Sequence, residues 1–120
     1  MGLEEEFSRH VALWYEHCDD PKVRGYPDPA RFRRHYAYKA IVAAGPAVLP
    51  FIQKEYAGPK GLVPLYDWAY AVEEIVKKAY AQGLLSQNGF KIPPVIRGNP
   101  EEIRKYTLEF LAELKIPETL

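Results

Sequence analysis

A single cysteine, Cys18, stands among the 120 residues. It excludes an internal disulfide framework and a multi-cysteine zinc site, and it fits a reducing compartment. No apolar run approaches the ~20 residues that a membrane helix needs. The start of the chain, Met1-Gly2-Leu3-Glu4-Glu5-Glu6, is acidic where a secretory signal is basic and then apolar. Net charge is missing too: sixteen Lys and Arg offset sixteen Asp and Glu, so no overall field draws the protein to nucleic acid or to an anionic membrane. A soluble cytoplasmic protein with no membrane partner is the expectation. What the chain does have is 48% apolar and 27% charged residues, an ordinary globular balance. A single domain over residues 1–120 buries about 65–70% of its unfolded surface, enough for a core without metal or disulfide staples.

Leu3, Phe7, Val11, Trp14 and Cys18 alternate in steps of four and three, which predicts an amphipathic helix from Leu3 to Cys18, stopped by Asp19-Asp20-Pro21. Asp28-Pro29 reads as an N-cap followed by proline at the first helical position, opening a second helix from Pro29 to Ala44. Gly45 fits a left-handed C-terminal cap and Pro46 fits the start of a third helix carrying Val48, Leu49, Ile52 and Tyr56; Pro50 is tolerable there because it lies in the first turn. So short a turn predicts an antiparallel pair. A fourth helix from Leu65 to Gln82 turns Trp68, Val72, Ile75, Val76 and Ala79 inward and ends at Gly83. Between Leu84 and Gly98, Asn88-Gly89 marks a turn where a small hairpin could form, while Phe90, Ile92, Val95 and Ile96 are apolar enough to lie against the helices. Asn99 then caps a fifth helix with Pro100 first and Glu102 placed to reach back to the Asn99 backbone; Ile103, Thr107, Phe110, Leu111 and Leu114 face inward. The fold class is all-α, a compact domain of about five helices.

The Gly45-Pro46 turn followed by Val48-Leu49-Pro50-Phe51-Ile52 looks like the turn of a HEAT-type repeat. Preceded by His35-Tyr36-Ala37-Tyr38-Lys39-Ala40-Ile41, and followed by Trp68 in a helix and Arg97-Gly98-Asn99 before the last one, it gives an order that resembles a group of short, uncharacterised bacterial proteins. The likeness runs from His35 to Leu114. That group has a proline where this chain has Ala37, and Gln87 to Pro94 reads as an insertion against it. The resemblance implies a HEAT-like helical fold and brings no activity or cofactor with it. HEAT-like pairs present surfaces to partners, so the analogy favours binding over catalysis.

Chemistry finds little purchase in the motifs. Glu6 and His10 stand one helical turn apart, and His17, Cys18, Asp19 and Asp20 gather donors at a helix end, yet no H-E-x-x-H or C-x-x-C spacing completes a metal site. Asp19 and Asp20 beside Cys18 oppose a reactive thiolate. Ser8, Ser86, Thr107 and Thr119 lack a nucleophile-elbow setting, and Gly58-Pro59-Lys60-Gly61 lacks the spacing of a phosphate loop. Glu73-Glu74 and Glu101-Glu102 read as solvated helix charge. No catalytic residue, metal ligand or cofactor is assigned, and the sequence points away from an enzyme.

Charge along the chain is more informative. Residues 1–20 sum to about −5, residues 21–60 to about +6 and residues 61–120 to about −1. Arg31, Arg34, His35 and Lys39 can share one face of the second helix, with Phe32, Tyr36 and Tyr38 between them. Such a stripe can pair with the acidic first helix, dock an acidic protein, or contact phosphates and bases. Nine Tyr and two Trp add aromatic weight, and of Tyr66, Trp68 and Tyr70 not all can face inward. The expectation is a protein-interaction or regulatory module that binds an unidentified protein partner through Arg31, Arg34, His35, Lys39, Tyr66 and Tyr70. A nucleic-acid-binding regulator using the same stripe is the alternative, and a metal protein or enzyme using Glu6, His10, His17 and Cys18 comes third. Exposed aromatics permit a homodimer without requiring one.

Overall fold

Helix α1 spans Leu3–Asp19 and buries Phe7, Val11, Trp14, Tyr15 and Cys18, the expected stripe with Tyr15 added. Leu3, first in the predicted stripe, is 39% exposed because it lies at the helix end. The computed structural model describes residues 2–19, 35–58, 68–85 and 90–114. These residues form α2 (Tyr36–Ala43), a 3-10 turn (Gly45–Val48), α3 (Leu49–Tyr56), α4 (Trp68–Ala81), a short 3-10 segment (Pro94–Ile96) and α5 (Pro100–Glu113). Five α-helices and no strand among the described residues make the protein all-α. Its radius of gyration is 14.0 Å, close to the ~13–14 Å of a compact chain of this length.

The second helix begins later than its sequence suggests. His35 is extended, at φ −65° and ψ 141°, and its Nδ1 accepts the backbone N–H of Ala37 at 3.2 Å, so His35 is the N-cap and not an interior residue. The expected helix from Pro29 therefore does not run unbroken through His35. Residues 29 to 34 lie outside the described residues. At its other end the chain turns through Gly45 at φ +81°, and Pro46 lies in the 3-10 turn that leads into α3. Only the left-handed region satisfies that reversal, which suits glycine. Pro50 stands in the first turn of α3, where a missing N–H costs no hydrogen bond.

Helix α4 occupies the centre, packed against α2, α3, α5 and the 3-10 turn, while α1 lies on α2 and α3 on α5. Its buried face is Trp68, Ala69, Ala71, Val72, Ile75, Val76 and Ala79, the predicted residues with two further alanines that let neighbours approach. A double hydrogen bond closes it: Leu84 N–H donates to Ala79 O at 2.9 Å and Gly83 N–H to Tyr80 O at 3.0 Å, with Gly83 at φ +76°. That is a Schellman cap.

Aromatic side chains fill the seam between α1 and α4. Trp14 and Trp68, both fully buried, meet edge to face at 5.1 Å and 84°, and Tyr38 lies 5.1 Å from Trp14. A second group, Phe90 against Phe110 and Tyr106, brings the stretch after residue 89 onto α5. Here the expectation holds for buried Phe90 and half-buried Ile92 and Ile96, and fails for Val95, which is 89% exposed at the 3-10 segment. The bend that brings Pro94–Ile96 round after the proline pair leaves that one apolar side chain in water. In α5 the Asn99 side chain accepts Glu102 N–H at 3.2 Å, as the cap requires. The reciprocal bond from Glu102 is replaced, since Asn99 N–H donates to Ile96 O at 3.0 Å. Thr107 and Leu111 are buried, while Ile103 and Phe110 are half-buried at the rim of the core.

Candidate functional site

Three places on the described surface bring together side chains able to bind or respond. The first is where the end of α1 meets the start of α2. Capping by His35 puts its ring at the rim, and α1 brings His17 over it: the imidazoles stack at 4.3 Å and 26°. Tyr36 also lies against His35, its ring tilted by 35° with centroids 4.6 Å apart. Burial first, and then the charge of His17, hold the His35 imidazolium below its ordinary value of 6.5. Tyr36 is 60% exposed and Lys39, one turn on, is also exposed. Of the residues expected to form the basic and aromatic surface, this end gathers His35 and Lys39. Arg31, Arg34 and Tyr66 lie outside the described residues.

The second place is an open groove of about 420 Å³ between α1 and α3, lined by Phe7, Val11, Tyr15, Glu16, Asp19 and Glu55 among others. Tyr15 bridges its floor to the core. Its hydroxyl accepts the indole N–H of Trp68 at 3.0 Å and donates to Glu55 Oε1 at 2.9 Å. The carboxylate is thereby fixed at the groove wall, and the buried indole N–H is satisfied. Carboxylates of Glu16, Asp19 and Glu55 give this groove a negative rim.

Tyr70 marks the third place, half-buried on the outer side of α4 in a shallow groove of about 360 Å³ with Glu73, Glu74, Lys77, Lys78 and Ala81. Charge there is mixed, not basic. Glu74 is not a purely solvated helix charge, because its Oε2 accepts the hydroxyl of Tyr38 at 3.0 Å and ties α2 to α4. Trp68 is the core anchor its helix position suggests, and Arg97 is exposed.

Among the described residues no three His, Cys, Asp or Glu side chains converge as metal ligands. Within the first helix, Glu6 is exposed while Cys18 is fully buried, so these donors face different surroundings. Every described buried side-chain nitrogen and oxygen has a hydrogen-bond partner. Sequence reasoning missed the His17–His35 stack and the two tyrosine–carboxylate bonds. Their partners stand 40 and 36 residues apart for Tyr15–Glu55 and Tyr38–Glu74, and no local spacing signals them. No protein family, no curated protein and no solved structure matches the chain.

Proposed function

We propose that the protein is a binding module without chemistry of its own, and that it takes up an acidic segment of a protein partner at the start of α2. The observation that carries this reading is Tyr36. Its ring is 60% exposed on a helix whose other tyrosine, Tyr38, is 2% exposed. Tyrosine at such a position offers a large contact area and a polar tip at small entropic cost, which is why it is enriched at binding hot spots. Lys39 stands exposed one turn along, and Arg31 and Arg34 precede the helix in a stretch that carries about +6 between residues 21 and 60. Such charge steers an acidic partner and sets its orientation. The likeness of His35 to Leu114 to short bacterial helical proteins with a HEAT-like pair agrees with a surface built for partners.

Tyr36→Ala combined with Lys39→Glu tests the reading, because both side chains are exposed and the fold survives their loss. Wild-type and variant protein are used to capture partners from source-cell lysate, with and without nuclease. A stoichiometric protein retained by wild type after nuclease, and lost by the variant, supports the module. Equal capture by both proteins removes this surface. Capture that vanishes on digestion hands the same surface to nucleic acid.

A further inference from the structure

We propose that His35, stacked on His17, is a proton-operated latch between α1 and α2, closed when the His35 ring is neutral and opened by its protonation in mildly acidic solution. The inference stands on geometry and does not depend on what the surface binds. His35 Nδ1 accepts the N–H of Ala37, so in the closed form that nitrogen carries a lone pair and the ring hydrogen sits on Nε2. Imidazolium carries hydrogens on both nitrogens. Protonation therefore turns the capping acceptor into a donor facing another donor, and it adds positive charge at the end of α2 where the helix dipole is already positive. The same charge lies one stacking distance, 4.3 Å, from His17 on the other helix. Cap loss, dipole and repulsion all act in one direction.

Burial and the charge of His17 both lower the pKa of His35, in keeping with this geometry. Among the described residues, few other charged or titratable groups lie near the pair in sequence or on the packed helices. Glu16 and Asp19 flank His17 on α1, Tyr36 and Lys39 follow His35 on α2, and α4 contributes Glu74, which is engaged by Tyr38. The 3-10 turn Gly45–Val48 brings none. Arg33 and Arg34 precede His35 in the chain. None of these groups caps Ala37.

The test is a titration of the full chain by NMR from pH 7.5 to 5, following the His35 ring resonances and the hydrogen exchange of the Ala37, Tyr38 and Lys39 amides, corrected for intrinsic exchange. Opening at these amides should rise up to about tenfold per pH unit between the ordinary histidine pKa and the lower closed-state value, then level off. Thr107, deep in α5, should keep its protection. His35→Asn supplies a side-chain acceptor for the cap but does not titrate, so α2 should stay protected and the pH response should disappear. Every other charged group is unchanged in that variant. His17→Phe retains a ring against His35 without its charge, and should move the His35 midpoint upward. The latch is refuted by a His35 midpoint at or above 6.5 in the wild type, by an unchanged midpoint in His17→Phe, or by an undiminished pH response in His35→Asn.

Discussion

Tyr15→Phe deletes one oxygen atom and should be among the costliest small changes in the protein. The phenol hydroxyl lies between the indole N–H of Trp68 and the carboxylate of Glu55, at 3.0 and 2.9 Å. Trp68 is 1% exposed and Tyr15 6%, so the indole N–H that loses its acceptor lies in the buried core. An orphaned buried donor costs about 1–3 kcal/mol. The bond to Glu55 is charge-assisted, but Glu55 is half-buried at the groove wall and water replaces much of it, which leaves about 0.5–1 kcal/mol from that side. The sum is about 1.5–4 kcal/mol. Urea unfolding followed by circular dichroism reads this as a midpoint lower by about 1–2 M, for a slope near the middle of the small-protein range. Glu55→Gln is the internal control, since an amide oxygen still accepts from Tyr15 and the indole N–H stays paired; it should lose less than about 1 kcal/mol. The reasoning fails if Tyr15→Phe costs no more than Glu55→Gln, because the buried indole would then not depend on the phenol.

Asn99→Ala removes the acceptor for Glu102 N–H at the start of α5 and should cost about 0.5–1 kcal/mol in urea unfolding, the lower part of the N-cap range, because this helix end is exposed. Gly83→Ala places no Cβ against any neighbour, yet it holds an L-residue at φ +76°, so it should lose about 1–2 kcal/mol by conformation alone. Val95→Asp, at an 89% exposed site, should stay within about 0.5 kcal/mol of wild type. Global stability should fall as the pH drops through 6.5. His35 binds its proton less readily folded than unfolded, so below 6.5 the unfolded chain takes up more protons, and the loss levels off beneath the folded-state value. Melting temperatures of wild type and His35→Asn between pH 7.5 and 5.5 check the sign: the wild-type curve should slope more steeply.

Local chemistry carried much of the architecture into the sequence. Gly45-Pro46, Gly83 and Asn99-Pro100 announce helix ends because each solves a backbone problem with its own atoms, and the period of Phe7, Val11, Trp14 and Cys18 marks a buried face. Where a residue is decided by something distant, the signal disappears. Arg31 to Tyr38 holds no glycine or proline, and only the imidazole turned back onto Ala37, with His17 arriving from α1, shows that a helix starts at Tyr36. Tyrosine is ambiguous for a related reason: Tyr15, Tyr36 and Tyr38 look alike in sequence, but carboxylates supplied by α3 and α4 let Tyr15 and Tyr38 bury their rings while Tyr36 has 60% of its surface in water. The concentration of positive and aromatic residues about α2 was legible in the sequence, and the pairing of His35 with His17 was not.

Both tryptophans of the chain meet edge to face at the seam of α1 and α4. Indole emission is therefore a spectroscopic gauge of one place. Excited at 295 nm, the protein reports whether the N-terminal helix is seated, and it is silent about the Phe90–Phe110 cluster on α5, which holds no indole. A fluorescence transition that precedes the far-ultraviolet dichroism transition would mean that α1 lifts off while the remaining helices persist; coincident transitions would mean that the N-terminal helix and the body of the protein melt as one cooperative unit.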